Sequence, residues 1–207
     1  LSTPRLLAAY RRGIFPWYDE GQPVLWWSPD PRCVFGPGDL HLSRRFFKEA
    51  RSSTLTIRVN SAFADVIRHC AEPRRHQQGT WITSDMRDAY LRLHDEGWAH
   101  SIEVWDADKM TGGLYGLGIG RAFFGESMFS ARSNASKYAL LFMDSLLRDG
   151  TIGVLDCQVQ SRHLIGIGAK ALPRGAFVAM LGELCAPAVA IENWPADPIP
   201  ITRLLPG

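Results

Sequence analysis

The 207-residue sequence lacks several features that would place it in a specialised class of protein. It has no run of about 18 apolar residues, so we expect no membrane-spanning helix and no membrane partner. A charged start followed by an apolar stretch, typical of a secretory signal, is also missing, and we expect a cytoplasmic protein. The formal net charge of +2 is too small to indicate nucleic-acid binding over the whole surface, although such an average leaves room for one basic face.

Cysteine is scarce and scattered. Cys33, Cys70, Cys157 and Cys185 form no C-x-x-C pair and no cluster with histidine, so we expect reduced structural thiols and no zinc site. With 46% apolar residues, a chain of this length can bury the core of one sizeable domain with a small appendage. The sequence begins at Leu1, directly at a helix-start signal, so we also expect its N-terminal part to be incomplete.

Short-range patterns predict an α+β protein. Pro4 in a first turn and Gly13 as a stop predict a basic helix over residues 3–12. Further helices are predicted over residues 43–51, 61–71, 84–96, 134–148 and 173–184, and strands over residues 54–59, 101–105, 111–119, 121–129 and 151–157. Consecutive strands followed by helix, strand and helix favour a mixed sheet with helices on both faces. The proline pair of residues 28–32 is the candidate boundary between a small N-terminal domain, residues 1–32, and a larger domain, residues 33–207.

Two segments place polar side chains among strongly apolar neighbours. They are GESMFS at residues 125–130 and LDCQ at residues 155–158. Buried polar groups usually have a partner or a function. Because side chains alternate along an extended strand, Glu126, Met128 and Ser130 are expected to share one face, as are Asp156 and Gln158. A carboxylate and an amide two residues apart can then reach the same small group.

The order of elements also matches the acetyltransferase superfamily that uses coenzyme A. The segment HLIGIGA at residues 163–169 resembles the Q/R-x-x-G-x-G/A loop that holds the pyrophosphate in those enzymes, except at its first position. A coenzyme A-dependent N-acetyltransferase is therefore one candidate function. The alternative for the loop itself is a glycine turn that lets backbone segments pack closely.

A series of short motifs runs in order through nearly the whole chain. It comprises LLAAYRRGIFPW at residues 6–17, LWWSPDPR at 25–32, GTWI at 79–82, HSIEVW at 100–105, GGLYG at 112–116, GESMFS at 125–130, NASK at 134–137 and DCQ at 156–158. Each block alone is weakly specific, but the succession is highly specific. Together the motifs resemble those of the leucyl/phenylalanyl-tRNA protein transferases.

The resemblance implies a two-domain protein, with a small N-terminal α/β domain and a larger part of acetyltransferase-like (GNAT-like) fold. It implies a cytoplasmic enzyme that moves Leu or Phe from aminoacyl-tRNA to the N-terminal Arg or Lys of a protein and so marks that protein for degradation. We expect a monomer. We also expect no metal and no other cofactor, because the aminoacyl ester is already activated. Two departures from the family are the absence of its leading segment before the first helix and Gly166 in place of the Ser of a Ser-Leu-Gly-Ala sequence.

Peptide-bond formation from an ester needs an uncharged amine, donors for the developing oxyanion and an acceptor for the amine proton. By resemblance, Asp156 and Gln158 are the proton-handling pair. Glu126 is a second acid that can hold the α-ammonium of the aminoacyl group or the basic end of the acceptor. The alternatives are that Asp156 caps the following helix, that Gln158 satisfies a strand end and that Glu126 is a paired core glutamate.

The expected substrate-binding residues form three sets. The pocket for the Leu or Phe side chain, where flexible Met suits both shapes, is expected at Leu114, Phe123, Met128, Met143 and Ser130. The terminal adenosine of the tRNA is expected at Tyr10, Trp17, Trp81, Asn134 and Ser136. The tRNA phosphates are expected at Arg44, Arg45, Arg74 and Arg75. For each set the alternative is core packing, helix capping or a solvated charged face, and a non-catalytic RNA-binding or degron-binding module is a third candidate function.

Overall fold

The computed structural model describes residues 1–72 and 82–205. The helices of these ranges are α1 (Thr3–Tyr10), α2 (Arg44–Arg51), α3 (Phe63–Ala71), α4 (Ser84–Asp95), α5 (Ala135–Arg148), α6 (Arg162–Gly166), α7 (Arg174–Leu184) and a 3₁₀ helix at Ile201–Leu204. The strands are β1 (Phe15–Pro16), β2 (Trp26–Trp27), β3 (Arg32–Phe35), β4 (Thr56–Val59), β5 (Ala99–Asp106), β6 (Lys109–Ile119), β7 (Ala122–Ser130), β8 (Val154–Gln158), β9 (Lys170–Leu172) and β10 (Ile199–Pro200). The α+β class predicted from the sequence is confirmed.

Eight of the described strands form one sheet, in the order β10-β4-β5-β6-β7-β8-β3-β9. Its neighbouring strands are antiparallel except β7 and β8, which run parallel, so the predicted mixed sheet is confirmed. The pairing of β7 with β8 extends only as far as Phe124 and Asp156. Beyond that point β7 and β8 no longer pair with each other, and the candidate site lies in the opening between them.

Helices cover both faces of the sheet, as predicted. One apolar cluster joins the sheet to α1, α3, α4 and α7, and it includes Tyr10, Tyr90 and Tyr115. The other joins the opposite face to α2, α5 and the 3₁₀ helix, and it includes Leu114 and Phe123. Successive strand residues alternate between the two clusters, because neighbouring side chains of a strand point to opposite faces. Among the described helices, none is long and apolar enough to cross a membrane.

The predicted helices and strands are all present, with ends within three residues of the prediction. The segments that the sequence analysis did not predict are α6, the 3₁₀ helix and the short strands β1, β2, β3, β9 and β10. These have two to five residues each and show no period of their own. β3, β9 and β10 pair with strands of the large sheet, where β3 lies between β8 and β9, whereas β1 and β2 pair with each other.

Residues 1–32 share an apolar core with the larger part of the chain. They contain α1 and the two-stranded sheet of β1 and β2. Leu6, Tyr10, Phe15 and Tyr18 are buried in the same cluster as side chains of α3 and α4. The domain boundary between residues 32 and 33 stays a prediction.

Candidate active site

Glu126 is the extra residue of a β-bulge in β7. The pairing of β6 with β7 is continuous on both sides of it but skips this position. The bulge changes which face the following side chains occupy: Met128 packs against the cluster around α5, whereas Glu126 bonds to tyrosines of the cluster around α1 and α4. The expectation that Glu126, Met128 and Ser130 share one face is therefore wrong, because it assumed uninterrupted alternation.

Three side chains from different elements donate hydrogen bonds to the Glu126 carboxyl group. The hydroxyl of Tyr10, at the end of α1, donates to Oε1 at 2.7 Å, and Nε2 of Gln158 donates to the same oxygen at 2.7 Å. The hydroxyl of Tyr90 on α4 donates to Oε2 at 2.8 Å. The two tyrosine hydroxyls also contact each other. Both oxygens of Glu126 thus accept hydrogen bonds, and α1, α4 and β8 together fix its orientation.

Burial controls the ionisation of Glu126, which is only 9% exposed. Desolvation raises the pKa of Glu126 to about 7, against hydrogen bonds from Tyr10 and Tyr90 that lower it; the charge of Asp156 raises it further and that of Arg32 lowers it. Burial also raises the pKa of both tyrosines, which keeps them protonated donors. An N-terminal amine becomes neutral near pH ~8. Glu126 therefore changes charge in a pH range close to that of an N-terminal amine.

An irregular turn at the end of β8 directs Gln158 towards Glu126. Gln158 has a φ of 61°, in the left-handed region that residues other than glycine rarely occupy. Its backbone N–H donates to Oδ1 of Asp156 at 2.9 Å, while its side-chain amide donates to Glu126. Asp156 and Gln158 are therefore connected through the backbone of Gln158, and their side chains bind different partners.

Asp156 is completely buried behind the site, bound to Arg32 of β3. Arg32 donates from Nε to Oδ1 at 2.8 Å and from Nη2 to Oδ2 at 2.7 Å, and these side chains are 1% and 0% exposed. The third guanidinium nitrogen, Nη1, donates to the carbonyl oxygen of Gly13 at 3.0 Å. The interpretation of Asp156 as the cap of the following helix is wrong, because the side chain of Ser161 caps α6.

Two adjoining clefts open beside Glu126. The larger has a volume of about 270 Å³ and is lined by residues of the β1 segment and the end of β8, among them Trp17, Gln158 and Val159. The smaller has a volume of about 110 Å³ and is lined mainly by apolar side chains, among them Leu114, Met128, Leu140, Leu155 and Leu164. Glu126 lines both clefts. An acid at the junction of a cleft of mixed lining and a mainly apolar cleft can hold a main-chain group while an apolar side chain is buried next to it.

Two of the residues expected in the aminoacyl pocket, Leu114 and Met128, line the smaller cleft. Phe123 and Met143 are fully buried in the apolar cluster around α5 and line neither cleft. Ser130 lies at the end of β7, where its hydroxyl accepts from one backbone group and donates to another in the loop before α5. The structure therefore brings together only part of this set.

The residues expected at the tRNA end are also dispersed. Trp17 is 42% exposed and lines the larger cleft. Tyr10 is fully buried, and its hydroxyl binds Glu126. Asn134 and Ser136 lie at the start of α5, where neither lines the two clefts beside Glu126. Trp81 lies outside the described residues.

A third cleft, of about 730 Å³, lies between α2 and the start of α5. Its lining is mainly polar and basic and includes Arg45, Arg132, Asn134 and Lys137. Glu49 in the same lining binds Arg45 at 3.1 Å. Arg44, the other α2 residue expected at phosphates, is exposed. The remaining two, Arg74 and Arg75, lie outside the described residues.

The sequence analysis did not assign Tyr90 or Arg32 to the site. Tyr90 lies in the buried stripe of α4, next to apolar residues at helical spacing; the signal for it is that a buried tyrosine hydroxyl needs a partner. Arg32 is followed by the apolar residues of β3. A charged residue at the start of a buried strand indicates that its charge has a buried partner. The sequence around Tyr90 and Arg32 does not indicate their partners, which are Glu126 and Asp156. Within residues 1–72 and 82–205, no group of three or more His, Cys, Asp or Glu could hold a metal ion.

The glycine-rich segment at residues 163–169 forms α6 and a tight turn after it. Gly168 has a φ of 107°, and a Cβ added there would lie 1.8 Å from the carbonyl oxygen of Asp39. Glycine is needed at this position because two backbone segments approach closely. The structure thus favours the packing interpretation of this loop.

Comparison with known families and proteins gives one consistent result. The family model described as leucyl/phenylalanyl-tRNA protein transferase matches residues 34–182, and the model for the N-terminal domain of that protein matches residues 1–30. The chain is 54% identical to the leucyl/phenylalanyl-tRNA protein transferase of Xylella fastidiosa strain M23 over 195 residues, 94% of this chain and 80% of the relative. For the proteins of the same name from Stutzerimonas stutzeri and Aromatoleum aromaticum, identity is 50% and 54% over 197 residues, 95% of this chain and 86% and 83% of the relatives.

Proposed function

The chain belongs to the leucyl/phenylalanyl-tRNA protein transferase family, and we propose that it moves Leu or Phe from aminoacyl-tRNA onto the N-terminal Arg or Lys of an acceptor protein. It acts in this proposal as a cytoplasmic monomer, and its product is marked for degradation. The observation that carries the proposal is the position of Glu126, held by three donors where a mainly apolar cleft meets a larger cleft of mixed lining.

The proposal includes an acetyltransferase-like fold and two domains, residues 1–32 and 33–207. The parallel pair β7 and β8, unpaired beyond Phe124 and Asp156, supports the first, because such an opening in a sheet leaves room for an acyl group. The two family matches, to residues 1–30 and 34–182, support the second.

The smaller cleft is the proposed pocket for the side chain of the transferred amino acid. Leu114, Met128 and Leu140 line it, and Met can adjust to a branched or a flat side chain. A charged side chain would lose its hydration there without a partner, apart from Glu126 at the mouth. Selection for apolar amino acids follows from this lining.

The reaction forms one C–N bond and breaks one C–O bond. The neutral amine of the acceptor attacks the ester carbonyl, and the amine proton finally resides on the ribose oxygen that leaves. Glu126, with a pKa of about 7, can hold that proton between the two transfers, and Gln158 orients its Oε1. Asp156 has both oxygens bound to Arg32, so in this proposal it acts through Gln158.

The tRNA is proposed to bind by stacking near the site and by charge further away. Trp17 offers an exposed ring at the larger cleft, on which the terminal adenosine can stack. Arg44 and Arg45 on α2, next to the basic third cleft, are the proposed phosphate contacts, and Asn134 lines the same cleft.

A direct test is transfer of labelled Leu from charged tRNA to a peptide that starts with Arg. The matched control is the same peptide starting with Ala, assayed with the same tRNA. We expect labelled product with the Arg peptide and background label with the Ala peptide. Absence of product from both peptides, with the tRNA still charged at the end of the assay, contradicts the proposed function.

The coenzyme A-dependent acetyltransferase gains no support. The relatives reported above are all leucyl/phenylalanyl-tRNA protein transferases, and Gly168 serves close backbone packing. We expect no transfer of acetyl groups from acetyl-coenzyme A to either peptide, which the same assay measures with labelled acetyl-coenzyme A.

A further inference from the structure

Arg32 is fixed in every direction although it touches neither cleft. Its three guanidinium nitrogens are all engaged, two on Asp156 and one on the carbonyl of Gly13. The rings of Phe15 and Phe177 lie next to the guanidinium, with centroids 4.9 Å and 4.8 Å from Cζ. A planar group bound in its plane and packed by aromatic rings has one orientation available.

Asp156 transmits this orientation to the site. Its Oδ1 accepts two hydrogen bonds, one from Nε of Arg32 and one from the backbone N–H of Gln158. The left-handed backbone of Gln158 is unfavourable for a residue other than glycine, so it persists only where the surroundings hold it. Held in this way, Gln158 reaches Oε1 of Glu126 at 2.7 Å.

We propose that Arg32 is a positioning residue for aminoacyl transfer, which acts through Asp156 and Gln158 on the carboxyl group of Glu126. The proposal rests on the proposed function of the site. It assigns to Asp156 the role of a fixed hydrogen-bond acceptor and leaves the transfer of the proton to Glu126. Loss of the two hydrogen bonds between Arg32 and Asp156 then moves the side-chain amide of Gln158 and, with it, the carboxyl group of Glu126.

Stability alone does not account for this ion pair. Taking two charges out of water is costly, and well-packed apolar residues of similar volume often serve as well or better. A lysine at position 32 would supply the charge but not the two parallel hydrogen bonds that set the orientation of Asp156. The two parallel hydrogen bonds that only arginine can make here are therefore the contacts that orient Asp156 for the site.

The test compares steady-state kinetics and thermal unfolding of Arg32→Met with those of the double variant Arg32→Met, Asp156→Leu. The single variant leaves a buried carboxylate unpaired, so we expect a lower Tm together with lower kcat. The double variant removes both charges, so we expect its Tm to return towards that of the wild type. We expect its kcat for transfer to the Arg peptide to stay about 10-fold to 100-fold low, with KM for aminoacyl-tRNA changed less than about 2-fold.

The control is Arg148→Met, which breaks the partly buried ion pair with Asp144 at the end of α5. It should lower Tm without changing kcat. Recovery of both Tm and kcat in the double variant, or a rise in KM that accounts for the whole loss, overturns the positioning role. If the double variant does not fold, Arg32→Lys decides by the same two measurements. A wild-type protein that transfers nothing contradicts the proposed function instead, so the two failures are distinguishable.

Discussion

At the scale of single residues, the burial of Glu126 lowers the stability of the folded protein when this carboxyl group is ionised, which is the form that the proposed reaction needs. Its pKa in the folded protein is about 7, against an ordinary value of 4.5, so the folded state binds this proton more tightly than the unfolded chain. The stability that protonated Glu126 contributes to the folded state is fully present below pH ~4.5 and is lost as the pH rises through ~7. We therefore predict that Glu126→Gln, which cannot ionise, gains free energy of unfolding relative to the wild type by up to roughly 3 kcal/mol between pH ~4.5 and ~8. Urea denaturation over a pH series measures this difference.

The same substitution should lower transfer sharply, because an amide cannot take the amine proton. Glu183→Gln, at an exposed position of α7, is the control for both measurements. Its activity should be unchanged. A stability difference for Glu126→Gln that does not vary with pH would show that burial does not raise the pKa of Glu126.

Tyr90→Phe tests the hydrogen bonds that keep Glu126 ionisable. The hydroxyl of Tyr90 donates to Oε2 and lowers the pKa of Glu126, so its removal should raise that pKa further. A hydrogen bond to a charged group contributes about 1.5–3 kcal/mol, and we predict that the acid limb of kcat moves up by roughly one to two pH units. The pH dependence of kcat measures the shift. An acid limb at the wild-type position would mean that the ionised form of Glu126 is not required.

At the scale of secondary structure, the bulge of β7 depends on close backbone contact with β6. Gly116 pairs with Gly125, directly before Glu126, and a Cβ added at Gly116 would lie 2.2 Å from the carbonyl oxygen of Phe124. Because that atom belongs to the backbone, it cannot rotate away. We predict that Gly116→Ala destabilises the protein by roughly 3 kcal/mol and lowers transfer.

Gly175→Ala in α7 is the matched control for Gly116→Ala. Its added Cβ meets nothing within 4 Å, and alanine is the better helix former, so a gain of about 0.5–1 kcal/mol is expected. Thermal unfolding of the two variants side by side measures both effects. Equal Tm values would show that the sheet accommodates a side chain next to the bulge.

Periodicity predicted the long elements because it reports which face a side chain occupies. α5 and β6 were found within a few residues of their ends. The same rule failed at Glu126, where one extra residue reverses the alternation and no local signal marks it. The partners of the site were out of reach of local patterns too: Tyr90 is 36 residues from Glu126, and Arg32 is 124 residues from Asp156. The motifs identified the acids and the amide, and only the fold identified what holds them.

At the scale of the whole molecule, a protein with a net charge of +2 must bind tRNA with a local surface. The described part of the chain offers one in α2 and the third cleft, where Arg45, Arg132 and Lys137 meet. Arg45 is 88% exposed at its side chain, so its ion pair with Glu49 contributes little and does not compete strongly with a phosphate.

The last prediction follows from counterion release at that surface. Replacing Arg44 and Arg45 with Ala should weaken binding to every aminoacyl-tRNA alike, because phosphate contacts carry no sequence information. The slope of log Kd against log salt concentration should fall by roughly 0.7–0.9 for each lost contact, as measured by filter binding over a salt series. Trp17→Ala should instead weaken binding by about 1–3 kcal/mol at each salt concentration with the slope unchanged, because stacking involves no counterions.

The control for the loss of a positive charge as such is Arg87→Ala. Arg87 is an exposed residue of α4 paired with Asp88, and its replacement should leave the slope unchanged. An unchanged slope after loss of both α2 arginines would place the tRNA on another face, and the exposed arginines at the end of α1, Arg11 and Arg12, would then be the next pair to replace.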